Sequence, residues 1–304
     1  LGNFYHNFFQ AQKIKSTLTS VNVTKIANIE KEIKKVKPNI VLNATGITNL
    51  EWSAKHKLET FEVNVLGVDN IAQVCDQNNI YFIHLSSGCI MESKHADDIK
   101  TELDVPNPIS YYSWTKFWAE QLLSFKRTSD FKCLILRLRQ PVSGQLHHKN
   151  MLTKMLTFTR FIDTPNSGTV IEDLMEWTLE LMDLGATGVY NVANEGWTTP
   201  YDISLLIKKY ILPDLNPIKI TKQQLNDMTP ETRVDTVLDV SKLKNTVKSV
   251  KSYKERLEEL MQNLAKSINE GDREYIREQL EITVEQSKQR TIINEHWQKL
   301  ISKP

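Results

Sequence analysis

With 304 residues, 40% of them hydrophobic and 25% charged, the chain has the composition of a soluble globular protein with one large core or two smaller ones, which excludes a disordered or fibrous class. Its 38 basic and 37 acidic residues leave a net charge of +1 without a block of like charge, so neither nucleic acid nor an anionic membrane is expected as partner. No apolar run approaches the roughly 18 residues that span a bilayer, no signal-peptide pattern is present, and Cys75, Cys89 and Cys133 lack disulfide-framework or zinc-site spacing, so a cytoplasmic protein without a metal is expected.

Leu1 to Phe9 lacks an initiator Met and reads as the first turns of a helix entered through Gly2 and running to about Gln12. A β-strand and most of a glycine-rich turn are therefore expected to have preceded residue 1. Lys13 to Leu18 reads as a short strand. Ile26 to Lys37 reads as a helix with Ile26, Ile29, Ile33 and Val36 on one face, ended by Pro38. Ile40 to Gly46 is a buried strand running into a glycine turn. A helix from about Leu58 to Asn78, a strand at Tyr81–Ser87, a helix through Tyr112 and a strand at Phe131–Leu138 follow. This alternation predicts an α/β fold, a doubly wound parallel sheet that binds ligands at the carboxyl ends of its strands, where Asn43–Gly46 and Ser86–Cys89 fall.

In the Tyr112 helix, Lys116 lies one turn on and on the same face. A nearby ammonium favours phenolate, so Tyr112 is expected below its usual pKa of about 10 and fit for proton transfer. Tyr-x-x-x-Lys alone is a weak signal, since it also arises by chance on helix surfaces. Its order behind Asn43-Ala44-Thr45-Gly46, Asn64 and Ser86-Ser87 resembles the extended short-chain dehydrogenase/reductase family, with a Rossmann-like fold. More narrowly, residues 37–46, 64–67, Gly88-Cys89-Ile90-Met91-Glu92, Arg137-Leu138-Arg139-Gln140-Pro141, Thr153-Lys154, Pro165-Asn166-Ser167 and Gly188-Val189-Tyr190-Asn191 resemble the UDP-4-keto-6-deoxyglucose 3,5-epimerase/4-reductases of plant UDP-rhamnose synthesis. The dTDP-4-dehydrorhamnose reductases are the broader relatives. The likeness runs from Gly2 to about Lys244 and ends by Tyr253.

The resemblance implies an NADP cofactor, with NAD as the alternative, beside Gly2, Asn43, Ala44, Gly46, Asn64, Tyr112 and Lys116. It implies Tyr112 as proton donor, Lys116 as its pKa-lowering neighbour and ribose contact, and Ser87 as the hydrogen-bond partner of the substrate oxygen. Epimerisation at C3 and C5 needs a further base and acid, and the matching positions are Cys89, which would also touch substrate, and Lys154. Asn150, Asn166 and Ser167 are the candidates for nucleotide-sugar contacts. Plainer readings stand beside these: Ser87 and Asn64 as structural hydrogen-bonders, Cys89 as a small buried residue, Lys154 as a surface lysine. The glycine turn is reduced to Gly2, and Lys13, Lys15 and Lys25 stand where the family often has an arginine for the 2′-phosphate. His147 and His148 read as polar loop residues.

Three regions are expected: 1–140 for the cofactor, 141–252 as a substrate lobe interleaved with the last sheet strands, and 253–304 as a helical appendage. The appendage carries Leu257, Leu260, Met261, Leu264 and Ile268 on one stripe, then, past Gly271, Tyr275, Ile276, Leu280, Ile282, Ile292, Ile293 and Trp297. It is expected to pack on the fold or on a second subunit, in which case it would support a homo-oligomer. The expected activity is NADPH-dependent 3,5-epimerisation and 4-keto reduction of a nucleotide-linked 4-keto-6-deoxyhexose. The alternatives are a 4-reductase only, or a non-catalytic regulatory subunit on the same fold, like the reductase-like β subunit of methionine adenosyltransferase.

Overall fold

The computed structural model describes residues 1–125, 130–147, 149–278 and 281. Helix α1 (Gly2–Ala11) buries Tyr5 and Phe9, the apolar side of its first two turns. Lys13 then takes a left-handed φ of 60°, and the Ile14 amide bonds back to Phe9 O at 2.8 Å. The expected strand at Lys13–Leu18 does not form, because this stretch closes the helix instead of pairing with a neighbour. Helix α2 (Ile26–Val36) buries Ile29 and ends on Lys37 at φ 52°, the residue that Pro38 bars from a helical conformation.

Strand β1 (Ile40–Asn43) leads to α3 (Leu50–Lys55), capped by the side chain of Asn49, and to α4 (Lys57–Phe61). The helix expected at Leu58–Asn78 is broken by a π-helical turn at Glu62–Leu66 before it resumes as α5 (Gly67–Gln77). Gly67 is required there, since a Cβ would lie 2.5 Å from Val23 Cγ2. Next come β2 (Tyr81–Ser87), the short β3 (Ile99–Lys100), α6 (Tyr111–Ser124) and β4 (Cys133–Leu138). The chain continues through β5 (Pro141–Val142), α7 (Met151–Met155), β6 (Arg160–Ile162), β7 (Thr169–Val170), α8 (Ile171–Asp183) and β8 (Gly188–Val192). It then forms α9 (Pro200–Tyr210), β9 (Ile218–Ile220), α10 (Lys222–Met228), β10 (Val237–Leu238), α11 (Ser241–Lys244) and α12 (Tyr253–Ser267).

The main sheet is parallel, in the order β1-β2-β4-β8, with Asn43 opposite His84 and Ser87 opposite Leu138. Because side chains alternate along a strand, each strand serves two cores. Tyr81, Ile83, Leu85, Leu134, Leu136 and Leu138 pack with α1 and α8, whereas Phe82 and Ile135 pack with α2, α5 and α6. Helices on both faces of a parallel sheet make the doubly wound α/β architecture read from the sequence. Among the described residues no helix is long and apolar enough to cross a membrane.

A third core lies beyond the sheet. It joins Val142, Leu152, Met155 and Phe161 to Ile203 and Ile207 of α9, and to Tyr253, Leu257, Leu260, Met261, Leu264, Ile268 and Ile276. The stripe of the expected appendage packs on the fold, in the centre of the lobe, with Tyr275 left on the surface. Leu280, Ile282, Ile292, Ile293 and Trp297 lie outside the described residues.

Candidate active site

Two polar ends of parallel strands make the site. At the end of β1, Asn43 Oδ1 accepts the Thr45 amide at 3.0 Å, and its Nδ2 faces His84 Nδ1 at 3.2 Å. Asn64, turned inward by the π turn, accepts the Ile47 amide at 2.8 Å and donates to Ile47 O at 2.9 Å and Thr115 Oγ1 at 3.2 Å. It ties the loop after β1 to α6. Gly46 lies against it, and Gly2 lies where a Cβ would come 3.9 Å from the Ala44 Cβ. Gly2, Asn43, Ala44, Gly46 and Asn64 thus gather at one end of the sheet.

At the end of β2, Ser87 Oγ accepts the Cys89 amide at 3.3 Å and caps the single turn Gly88–Ile90. Cys89 is a buried free thiol. Ser110 caps α6 through the Ser113 amide at 3.1 Å, which sets Tyr112 at the mouth and Lys116 one turn deeper. Tyr112 is partly buried beside Ser87. Lys116 is buried and donates to Leu85 O at 2.8 Å.

The electrostatics differ from the sequence expectation. Burial pushes the Tyr112 hydroxyl above its usual range and a charge on Cys89 adds to this, while the Ser87 hydrogen bond and the Arg139 guanidinium oppose it. The Lys116 ammonium, one helical turn on from Tyr112, donates to the Leu85 carbonyl. Burial pulls Lys116 itself down to about 8, against the charges of Cys89 and Glu120. Its own burial, with the Lys116 charge adding to it, holds the enclosed His84 imidazole well below the usual histidine range.

Behind the site, the buried Glu120 accepts from Ser86 Oγ and takes a two-pronged bond from Arg137, with Nε at 3.0 Å and Nη2 at 2.7 Å. Arg139, two residues on, donates through Nη2 to Asn166 Oδ1 and Val234 O. Asn166 in turn donates to Asp235 Oδ1 at 2.9 Å, and Asp235 pairs with Lys222 at 3.0 Å. Arg137, Arg139, Glu120 and Asp235 were not among the sequence candidates. Two arginines alternating with leucines in a strand that reads as buried were the available signal.

The remaining candidates fall differently. Asn150 caps α7 and spends its amide on Ser143 and Gln145 carbonyls, both at 2.8 Å. Ser167 Oγ accepts the Leu238 amide at 3.0 Å and donates to Gly196 O at 3.2 Å. The polar atoms of Asn150, Asn166 and Ser167 are therefore occupied by protein partners. Lys154 stands exposed on α7, and among the described residues its ammonium makes no hydrogen bond or ion pair. His148 lies outside the described residues.

A doubly wound parallel sheet with Ser, Tyr and Lys at its carboxyl edge defines a Rossmann-like protein of the dehydrogenase/reductase class. Residues 6–266 match the RmlD substrate binding domain family. The chain therefore belongs to that family and is an enzyme. The match continues through nearly all of α12, past the point where the sequence likeness was read to end. The chain is 31% identical over 267 residues to a bifunctional dTDP-4-dehydrorhamnose 3,5-epimerase/dTDP-4-dehydrorhamnose reductase of Arabidopsis thaliana, covering 84% of this chain and 87% of that protein. It is 33% identical to a trifunctional UDP-glucose 4,6-dehydratase/UDP-4-keto-6-deoxy-D-glucose 3,5-epimerase/UDP-4-keto-L-rhamnose-reductase of the same plant, over 76% of this chain but only 36% of that longer protein. Among solved structures, the L780 UDP-rhamnose synthase of Acanthamoeba polyphaga mimivirus superimposes with a TM-score of 0.79 at 24% identity, over 86% of this chain and 95% of that one. A dTDP-4-dehydrorhamnose reductase of Bacillus anthracis in complex with NADP gives 0.77 at 17% identity, over 85% and 94%.

Proposed function

We propose that the chain reduces the 4-keto group of a nucleotide-linked 4-keto-6-deoxyhexose with NADPH and epimerises its C3 and C5 centres, giving UDP-rhamnose or a similar deoxysugar nucleotide. The observation that carries this reading is the convergence of Ser87, Cys89, Tyr112 and Lys116 at the end of β2. The names of the plant relatives and the NADP in the Bacillus anthracis structure support the substrate class and cofactor, and NAD in related solved structures keeps it as the alternative. The cofactor's fit is supported by the glycine at the start of α1 beside Ala44 and by the absence of acidic residues from that first turn. Gly2, Asn43, Ala44, Gly46, Asn64 and Lys116 would line it.

When bound, the nicotinamide supplies a hydride to the carbonyl carbon. Tyr112 Oη gives its proton to the carbonyl oxygen, and Ser87 Oγ orients that oxygen. Lys116 would contact the cofactor ribose. Cys89 and Lys154 would be the acid and base pair that removes and returns the protons next to the ketone. Residues 1–140 serve the cofactor and the lobe from 141 serves the sugar nucleotide, with Asn150, Asn166 and Ser167 shaping its wall. A 4-reductase without epimerase activity is the second reading, favoured by the exposed, unpaired Lys154.

The test supplies UDP-4-keto-6-deoxyglucose and NADPH and follows NADPH oxidation together with solvent deuterium entering C3 and C5. Oxidation that vanishes in Tyr112→Phe and deuterium entry that vanishes in Cys89→Ala are expected. Oxidation without deuterium entry leaves only the reductase, and neither signal rejects both readings.

A further inference from the structure

Tyr112, Lys116 and Glu120 follow one another at four-residue steps in α6, so they lie along one side of the helix. Each meets the end of β2. Tyr112 lies beside Ser87, Lys116 Nζ donates to Leu85 O at 2.8 Å, and Glu120 accepts from Ser86 Oγ. Ser86 is the cross-strand partner of Arg137 on β4, and the two share the sheet face on which Phe82 and Ile135 pack with α6. Arg137 grips the same carboxylate with Nε at 3.0 Å and Nη2 at 2.7 Å, while its Nη1 reaches Glu102 O at 3.4 Å. Glu120 is thus tied to two neighbouring strands at once.

The apolar residues that α6 buries are Ala119 and Leu123, on either side of Glu120. Apolar contact has no direction and sets no register along the strand. The half of the helix nearer the site is buried through Ser113, Thr115 and Lys116 instead, with Asn64 holding its flank at Thr115 Oγ1. A buried ion pair adds little net stability over apolar side chains of the same volume. What a two-pronged carboxylate adds is a fixed direction.

We propose that Glu120, clamped by Arg137 and Ser86, is the positioning residue that sets the register of α6 against the end of β2, and with it the places of the Tyr112 hydroxyl and the Lys116 ammonium. The inference rests on the reductase reading, in which Tyr112 gives the proton. Glu120 acts through the helix. Tyr112 stands about 12 Å from it along the axis, and a stiff helix passes a slide or roll at one end on to the other.

The experiment measures NADPH oxidation with UDP-4-keto-6-deoxyglucose, and thermal melts, for the full chain, Glu120→Met, Arg137→Met and the double variant. Either single variant leaves a buried charge alone and melts early, and the double variant regains much of that loss. A pair that serves stability alone would regain kcat along with melting. The register role instead leaves the double variant down on the order of 10²-fold in kcat, the size of a roughly 1 Å misplacement, with KM for the sugar nucleotide nearly unchanged. A double variant that melts and turns over like wild type overturns the proposal. Should it fail to fold, Ser86→Ala keeps the ion pair and cuts only the tie to β2. A kcat lowered about tenfold with unchanged melting is then expected, and wild-type kcat overturns the proposal. A 3-fluorotyrosine ring at position 112 reads the register without turnover: its fluorine resonance is expected to move in the double variant and in Ser86→Ala, and an unmoved resonance counts against the register role. Wild-type protein that binds NADPH and never oxidises it rejects the reductase reading, and the fluorine signal still decides the register.

Discussion

A Cβ placed on Gly168 would lie 1.9 Å from Cζ of Tyr253, so the first residue of α12 occupies the space that any other residue at 168 would need. The contact is ring against backbone, and neither side yields easily. Gly168→Ala is expected to cost about 3 kcal/mol in urea denaturation, the upper range for overpacking a core. Tyr253→Phe is expected to cost nothing or to stabilise slightly, because it deletes a buried hydroxyl without a partner. An equal loss in both variants would contradict this account of the contact.

Removal of residues 253–304 is expected to abolish cooperative thermal unfolding of the lobe. Leu257, Leu260, Met261 and Leu264 share one core with Leu152 and Ile207, and deleting a core face exposes its partners. A truncated protein with an unchanged melting curve and a changed mass by light scattering would instead restore the picture of a detachable oligomerisation segment.

Lys116 gives the fold a specific pH signature. Its folded pKa is about 8, down from 10.5, so between those values the unfolded chain binds more protons than the folded one. Stability from this group therefore rises with pH from about 8 to 10.5, and its full cost is present below 8. Lys116→Met is expected to be more stable at pH 7, on the order of 3 kcal/mol, and to flatten that rise while turnover is lost. Guanidinium melts at pH 7 and pH 10 check both halves.

Arg137→Met should behave in the opposite way. It leaves the Glu120 carboxylate buried without its two-pronged partner, at a cost of about 4 kcal/mol. Adding Glu120→Met to it should recover much of that loss, which a double-mutant cycle measures.

Much of this was legible because period and punctuation carried it. Tyr81–Ser87 and Ile26–Val36 lie where apolar runs, Pro38 and the polar strand end put them. Lys13–Leu18 was misread because a strand depends on a neighbour that short-range pattern does not show. Tyr112 and Lys116 were found from helical spacing, but spacing could not tell that the ammonium turns to Leu85 O. Nor could an apolar stripe on α12 say whether it packs on its own lobe or on another copy.

The wide turn at Glu62–Leu66 works as a phase shifter. One extra residue in a helix rotates everything after it by about 100°. Upstream of it Phe61 meets the Trp118 ring edge-on, at 5.7 Å. Downstream, Val68, Ile71 and Ala72 face the sheet. An unbroken helix of that length would have to favour one side, so the out-of-step turn lets a single segment grip α6 with one half and roof β2 with the other, with Asn64 held at the seam.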